Sequence, residues 1–178
     1  MKINLISIFI LVLSGLSNMD FSPRLDKTYT NKHFSLRYPS SWQIVQEDNQ
    51  ATKSAIISLQ IMEKRKNDVD FCPNINIIVS NKKWEEPTSF IAKQVSESYK
   101  NSMTKYKEIR VIEATVGNCC GSVLQYSYTI QGYYLRGDQY ILKKEDNTTF
   151  IITVTTDGNK YQEQMKVISE ILESIEIK

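Results

Sequence analysis

Period-two alternation constrains this chain more than any other feature. Phe34, Leu36 and Tyr38 alternate with polar neighbours, and Ile57, Leu59 and Ile61 do the same. Ile75, Ile77 and Val79 repeat the pattern, as do Leu124, Tyr126, Tyr128 and Ile130, and then Phe150, Ile152 and Val154. Successive side chains leave a strand on opposite faces, so each run is a strand with one better-covered side. Gly117-Asn118 with Gly121, then Gly132, then Glu145-Asp146-Asn147 supply turns between them. Strands joined by such short turns run antiparallel.

Two stretches change period. After Pro87, which suits a first helical turn, Ile91, Val95, Tyr99 and Met103 recur every four residues. Tyr161, Met165, Ile168 and Leu172 form a second helical stripe, with Ile171 and Ile175 beside it. The ending SIEIK returns to alternation and predicts a short closing strand. The fold class is therefore α+β: a central, mainly antiparallel sheet flanked by helices in an α/β/α sandwich.

The run from Phe34 stops at Pro39 and resumes at Trp42. Proline cannot donate a ladder hydrogen bond, so Pro39 belongs at a strand end. Ser40 and Ser41 can turn the chain, and the Trp42 ring needs cover. Pro-Ser-Ser-Trp reads as a corner.

At the N-terminus, Lys2, the apolar Ile3–Leu13 stretch and the small Gly15 and Ser17 have the layout of a signal peptide cleaved after Ser17. The apolar stretch is shorter than the ~20 residues that cross a bilayer. Leu16 stands where a lipoprotein signal would place its acylated cysteine. The expectation is export to the periplasm or outside, not as a lipoprotein. Residues 1–17 are the signal, 18–30 an irregular leader with a short strand near Tyr29, and 31–178 a single domain.

The 178 residues carry 22 Lys and Arg against 20 Asp and Glu. The charges interleave, as in EKRKND, so no basic face suggests nucleic acid. Of three cysteines, Cys119 and Cys120 are adjacent and would form a strained ring if joined. A link from Cys72 to Cys119 or Cys120 is the candidate disulfide in an oxidising compartment, and three buried thiols are the alternative.

Catalytic chemistry finds little material. A nucleophilic Cys or Ser usually needs a base, and His33 is the only histidine. Zinc would need His33 and all three cysteines at an unusual spacing, so no metal site is assigned. The acidic pairs Glu85-Glu86, Glu145-Asp146 and Glu63 with Asp68 and Asp70 read as solvated surface charge. Glycines are scattered in turns, without a phosphate loop. Asn147-Thr148-Thr149 fits a glycosylation sequon, a pattern that chance often produces. No cofactor is expected. Tyr126, Tyr128, Tyr133, Tyr134 and Tyr140 crowd one hairpin. They either cover a sheet face or present an interaction surface.

FSLRYPSSWQI resembles the opening strand of the PsbP-like superfamily, whose members often carry an aromatic-x-(I/L)-x-(Y/F)-P-x-x-W pattern. DFCPNINIIVS is similar to the strand before that family's first long helix. FIITVTTDGNKYQEQMKVISEILESIEI looks like its closing strand, turn, helix and tail, with Ile175 where Phe is commoner. The three stretches lie in family order and span nearly all of 33–177. The resemblance implies a central antiparallel sheet between helices. It also implies a habit of binding other proteins: members include photosystem II subunits, a Ran-binding import factor and bacterial envelope proteins.

The sequence thus points to a non-catalytic exported module whose partner is another envelope protein. Two alternatives stay open: a small-ligand or lipid carrier with a cavity between sheet and helix, and a thiol-redox protein using Cys119 and Cys120.

Overall fold

A computed structural model describes residues 24–48, 57–65, 71–80, 84–146 and 148–178. The expected signal peptide, the first part of the expected leader, Asp68, Asp70 and Asn147 lie outside them. Ten strands and two helices follow in the order β1 (Lys27–Thr30), β2 (Phe34–Tyr38), β3 (Trp42–Asp48), β4 (Ile57–Glu63), β5 (Asn74–Ser80), α1 (Thr88–Ser102), β6 (Lys107–Val116), β7 (Cys119–Ile130), β8 (Tyr133–Lys143), β9 (Thr149–Asp157), α2 (Tyr161–Glu173) and β10 (Glu176–Ile177). Seven strands form one antiparallel sheet in the order β3-β4-β5-β9-β8-β7-β6.

The alternation builds a second, three-stranded sheet as well, β1-β2-β10, which the sequence did not separate from the first. The Pro39–Trp42 corner makes the division. Trp42 N–H donates to Pro39 O at 2.9 Å, and the chain passes from β2 in the small sheet to β3 in the large one. Trp42 is buried where the two sheets meet. Because β1 pairs with β2 and buries Tyr29, the folded domain takes in residues assigned to the leader.

Each face of the large sheet has its own core. On one side the small sheet and α2 cover Leu59, Ile61, Ile75, Ile77, Phe150 and Ile152. On the other side α1 covers Leu124, Tyr126 and Ile141 with Ile91 and Ala92. Helix α1 packs on β6, β7 and β8. Beyond its reach, the same side of the sheet carries Gln60 and Met62 on β4, Asn74 and Asn76 on β5, and Thr153 and Thr155 on β9, all half-buried.

Gly121 is not the turn that its composition suggested. The turn is Gly117-Asn118, and β7 runs straight through Gly121, where a Cβ would collide with the Ile141 backbone of β8. Among the described residues, the register shifts fall in the two edge strands of the large sheet, at Ile44/Gln46 in β3 and Glu108/Arg110 in β6. Bulges and charges on an edge discourage pairing with another chain.

Candidate functional site

The five hairpin tyrosines do not form one surface. Tyr126 is buried under α1, its ring centre 5.1 Å from Tyr99, 5.7 Å from Tyr106 and 5.8 Å from Tyr128. A Cβ at Gly137, its cross-strand partner, would overlap the Tyr126 ring, so glycine makes room for it. Burial pushes the Tyr126 hydroxyl well above the usual phenol range, and raises Tyr128 in the same way. Tyr140 faces the α2 side and is half-buried, pushed up to about 12 by burial and then by the Asp138 charge. Tyr133 and Tyr134 are exposed, but adjacent residues of a strand point to opposite faces.

What remains is a smaller apolar end. Gln131 and Gly132 both hold positive φ, 49° and 86°, in a two-residue turn that sets Ile130 opposite Tyr133. Ile130 is 52% exposed and Tyr133 41%. The Phe71 ring lies 6.2 Å from that of Tyr133. Thr129 N–H donates to Thr104 O, which brings the α1–β6 turn and half-buried Met103 alongside. A hollow lined by Met103, Tyr128 and Ile130 opens there. Ile130 and Phe71 carry no polar tip, so composition alone does not mark them as surface residues. Alternation from Tyr126 and Tyr128 already placed Ile130 on their face, beyond the end of the helix.

The cysteines are not joined. The register puts Cys72 just before β5, in line with the Tyr126 end of β7, while Cys119 and Cys120 begin β7. Six residues of strand, roughly 20 Å, separate those ends, far beyond the ~7 Å a disulfide tolerates. Cys119 is buried in the α2-side core and Cys120 is exposed on the other face. Burial pushes the Cys119 thiol up, the opposite of what a redox nucleophile needs. His33 immediately precedes β2, and its backbone N–H donates to Asn31 Oδ1 at 2.8 Å. Its Nε2 is buried without a hydrogen-bond partner among the described residues, and burial, then Lys32 and Lys144, lower its pKa. His33 and Cys119 both feel Lys144 and Asp146, but no hydrogen bond links them.

Glu85, Glu86, Glu145 and Asp146 are exposed, as expected of turn acids. The carboxylate that matters to the interior is Asp138, 1% exposed on β8. Its Oδ2 accepts from the Tyr161 hydroxyl at 2.7 Å and from Gln125 Nε2 at 3.1 Å. Arg110 Nε donates to Gln125 Oε1 at 2.6 Å, and the Arg136 guanidinium lies 3.6 Å over the Tyr161 ring. Burial raises the Asp138 pKa against the opposing pull of these donors and of Arg136 and Arg110. Tyr161 is raised by burial and by Asp138. The cluster pins the first residue of α2 to β7 and β8. A matching pin holds α1: Ser96, buried mid-helix, bonds both the Tyr106 hydroxyl at 2.7 Å and the Glu108 carboxylate.

A cleft of about 240 Å³ lies between the Pro39–Trp42 corner, the β4–β5 end and the start of α2. Trp42, Phe71, Pro73 and Val167 line it beside Glu63, Lys64, Lys160 and Glu163. The three stretches that carry the family resemblance converge there. Its volume falls below the ~300–1,000 Å³ of pockets that enclose a drug-sized ligand.

No protein-family model and no curated protein matches the sequence. Solved structures do match the fold. LpqN, involved in cell envelope biogenesis of Mycobacterium tuberculosis, is similar with a TM-score of 0.60 at 14% identity, over 85% of this chain and 91% of that one. The cyanobacterial PsbP of Synechocystis sp. PCC 6803 has a TM-score of 0.58 at 9% identity, over 93% and 99%. The Saccharomyces cerevisiae Ran-binding protein Mog1p has 0.53 at 9% identity, over 85% and 94%. An antiparallel sheet covered by helices on both faces defines the chain as an α+β sandwich. Within that class, its fold is that of the PsbP-like proteins.

Proposed function

We propose that the chain is an exported, non-catalytic binding module that docks a protein partner of the cell envelope through the hairpin end at Ile130 and Tyr133. The observation that carries this reading is the exposure of those two residues beside Phe71 and Met103, an apolar and aromatic knob beyond the cover of α1. Knobs of this composition sit at the centre of protein interfaces. The names of LpqN and Mog1p, one tied to envelope biogenesis and one to Ran binding, support a binding role. Export rests on the signal-like start of the sequence, and no described helix is long and apolar enough to cross a membrane.

The test compares the protein with an Ile130→Ser, Tyr133→Ser double variant in pull-downs from envelope extract. The reading expects one species retained by the first and lost from the second, with both folded by circular dichroism. Equal retention by both would refute the assignment of the surface.

A further inference from the structure

The side of the sheet that α1 leaves uncovered carries an ordered row of neutral polar groups. Cross-strand partners run Gln46, Gln60, Asn76, Thr153 and Gln139 across β3, β4, β5, β9 and β8. They share one face, because directly paired residues project to the same side. Neighbouring strands place them ~4.8 Å apart. The row is oriented from the α1 end. The Tyr99 hydroxyl donates to Gln139 Oε1 at 3.3 Å, and Gln139 Nε2 donates to Thr153 Oγ1 at 3.2 Å. Among the described residues the Thr153 proton has no acceptor, and Asn76 Oδ1, at the centre, is a buried oxygen without a partner. The row on one side adds Met62, Asn74 and Thr155, and the row on the other adds Ser58, Ile78 and Ile151.

Formal charge is absent from the middle of this face on β4, β5 and β9, and Asp48 stands opposite Ser58 on the edge strand β3. At its two ends, Asp157 accepts from the Asn159 backbone and Lys143 donates to the carbonyls of Trp84 and Glu86, so both are engaged locally. Aromatic rings flank the polar rows at one end, where Phe71 and Tyr133 pair and Tyr128 bonds Thr155. Amides and hydroxyls that both donate and accept, next to aromatic rings and without ions, complement a ligand made of hydroxyl groups and apolar ring faces. A phosphate or a peptide rich in charge would find no counter-ion here.

We infer that this half-sheet is a binding face for an uncharged glycan chain. It adjoins the hairpin end at Phe71 and Tyr133 but is carried by the polar rows of β4, β5 and β9.

The experiment titrates ¹⁵N-labelled protein with cellohexaose, chitohexaose and maltohexaose, each neutral, and follows amide shifts. Shifts should gather on β4, β5 and β9 around Gln60, Asn76 and Thr153 for at least one of the three. Since no ion pair takes part, affinity should stay within about twofold between roughly 50 and 500 mM salt. Gln60→Ala, which removes a half-buried side chain without disturbing the core, and Thr153→Val should each weaken binding about fivefold, the effect of one lost hydrogen bond. Ile130→Ser alone, which leaves the polar rows and the Phe71–Tyr133 ring pair in place, should leave it unchanged. No shift with any of the three sugars, shifts elsewhere on the molecule, or protection of this face by the protein partner would overturn the inference.

Discussion

The two faces of the seven-stranded sheet come from one alternating pattern and are finished differently. On the α2 side, aliphatic residues from β4, β5 and β9 meet a second sheet and a helix, and the centre is fully apolar. On the α1 side one helix covers three strands through a cluster of tyrosines, and the remaining strands present amides and hydroxyls mixed with Met62, Ile78 and Ile151. The difference teaches what alternation means physically. It says which residues share a side, and the element that lands there decides whether that side becomes core or surface.

The comparison breaks most visibly under truncation. Phe34→Ala, in the α2-side core, should cost ~3–5 kcal/mol in urea unfolding. Tyr128→Ala, half-buried on the α1 side, should cost less than half of that. Equal losses would mean that the two sides are one cooperative core of similar density.

Next in size is Gly137→Ala, which forces the Tyr126 ring off its strand and should cost ~1–3 kcal/mol. Combining it with Tyr126→Ala should be markedly non-additive, because the first change then meets no ring. Additive losses would show that the ring is not seated over Gly137.

A smaller effect tests the polar edge of the α2 side. Folding raises the Asp138 pKa above its unfolded value of ~3.9, so folding is favoured by proton uptake. That contribution is fully present below ~3.9 and is lost as pH rises through the folded pKa. Asp138→Asn cannot titrate, so its stability relative to the parent should rise from pH 4 to pH 7, by no more than ~1.4 kcal/mol per pH unit. A relative stability that falls over that range would mean that the Tyr161 and Gln125 donors outweigh burial.

The smallest change is Cys120→Ser, on the exposed end of β7, which should alter stability by no more than ~0.5 kcal/mol. The denatured, unreduced parent should show all three thiols to a chromogenic reagent. A missing pair would contradict the separation of Cys72 from Cys119 and Cys120.

Much of this architecture was written in the sequence. Strand runs such as Ile75–Val79 and the helical stripes from Ile91 and Tyr161 are periodic and long, and their partners are close along the chain. The second sheet was harder to see, because β10 joins β2 across the whole domain and contributes only two residues. Ser96 and Asp138 were invisible as buried groups, since a polar residue is kept inside only by partners such as Tyr106, Glu108, Tyr161 and Gln125. The tyrosines show the same limit from the other direction. Tyr126 and Tyr133 are identical in composition and opposite in exposure, because α1 reaches one and stops short of the other.

The claim on which the account turns is that the hairpin end is where this module meets its partner. A photoreactive phenylalanine at position 133, and another at exposed Lys93 on α1, would test it in intact cells. Crosslinking from position 133 to one discrete protein, with none from position 93, is the predicted result. A crosslink of equal strength from both positions, or from position 93 alone, would contradict it.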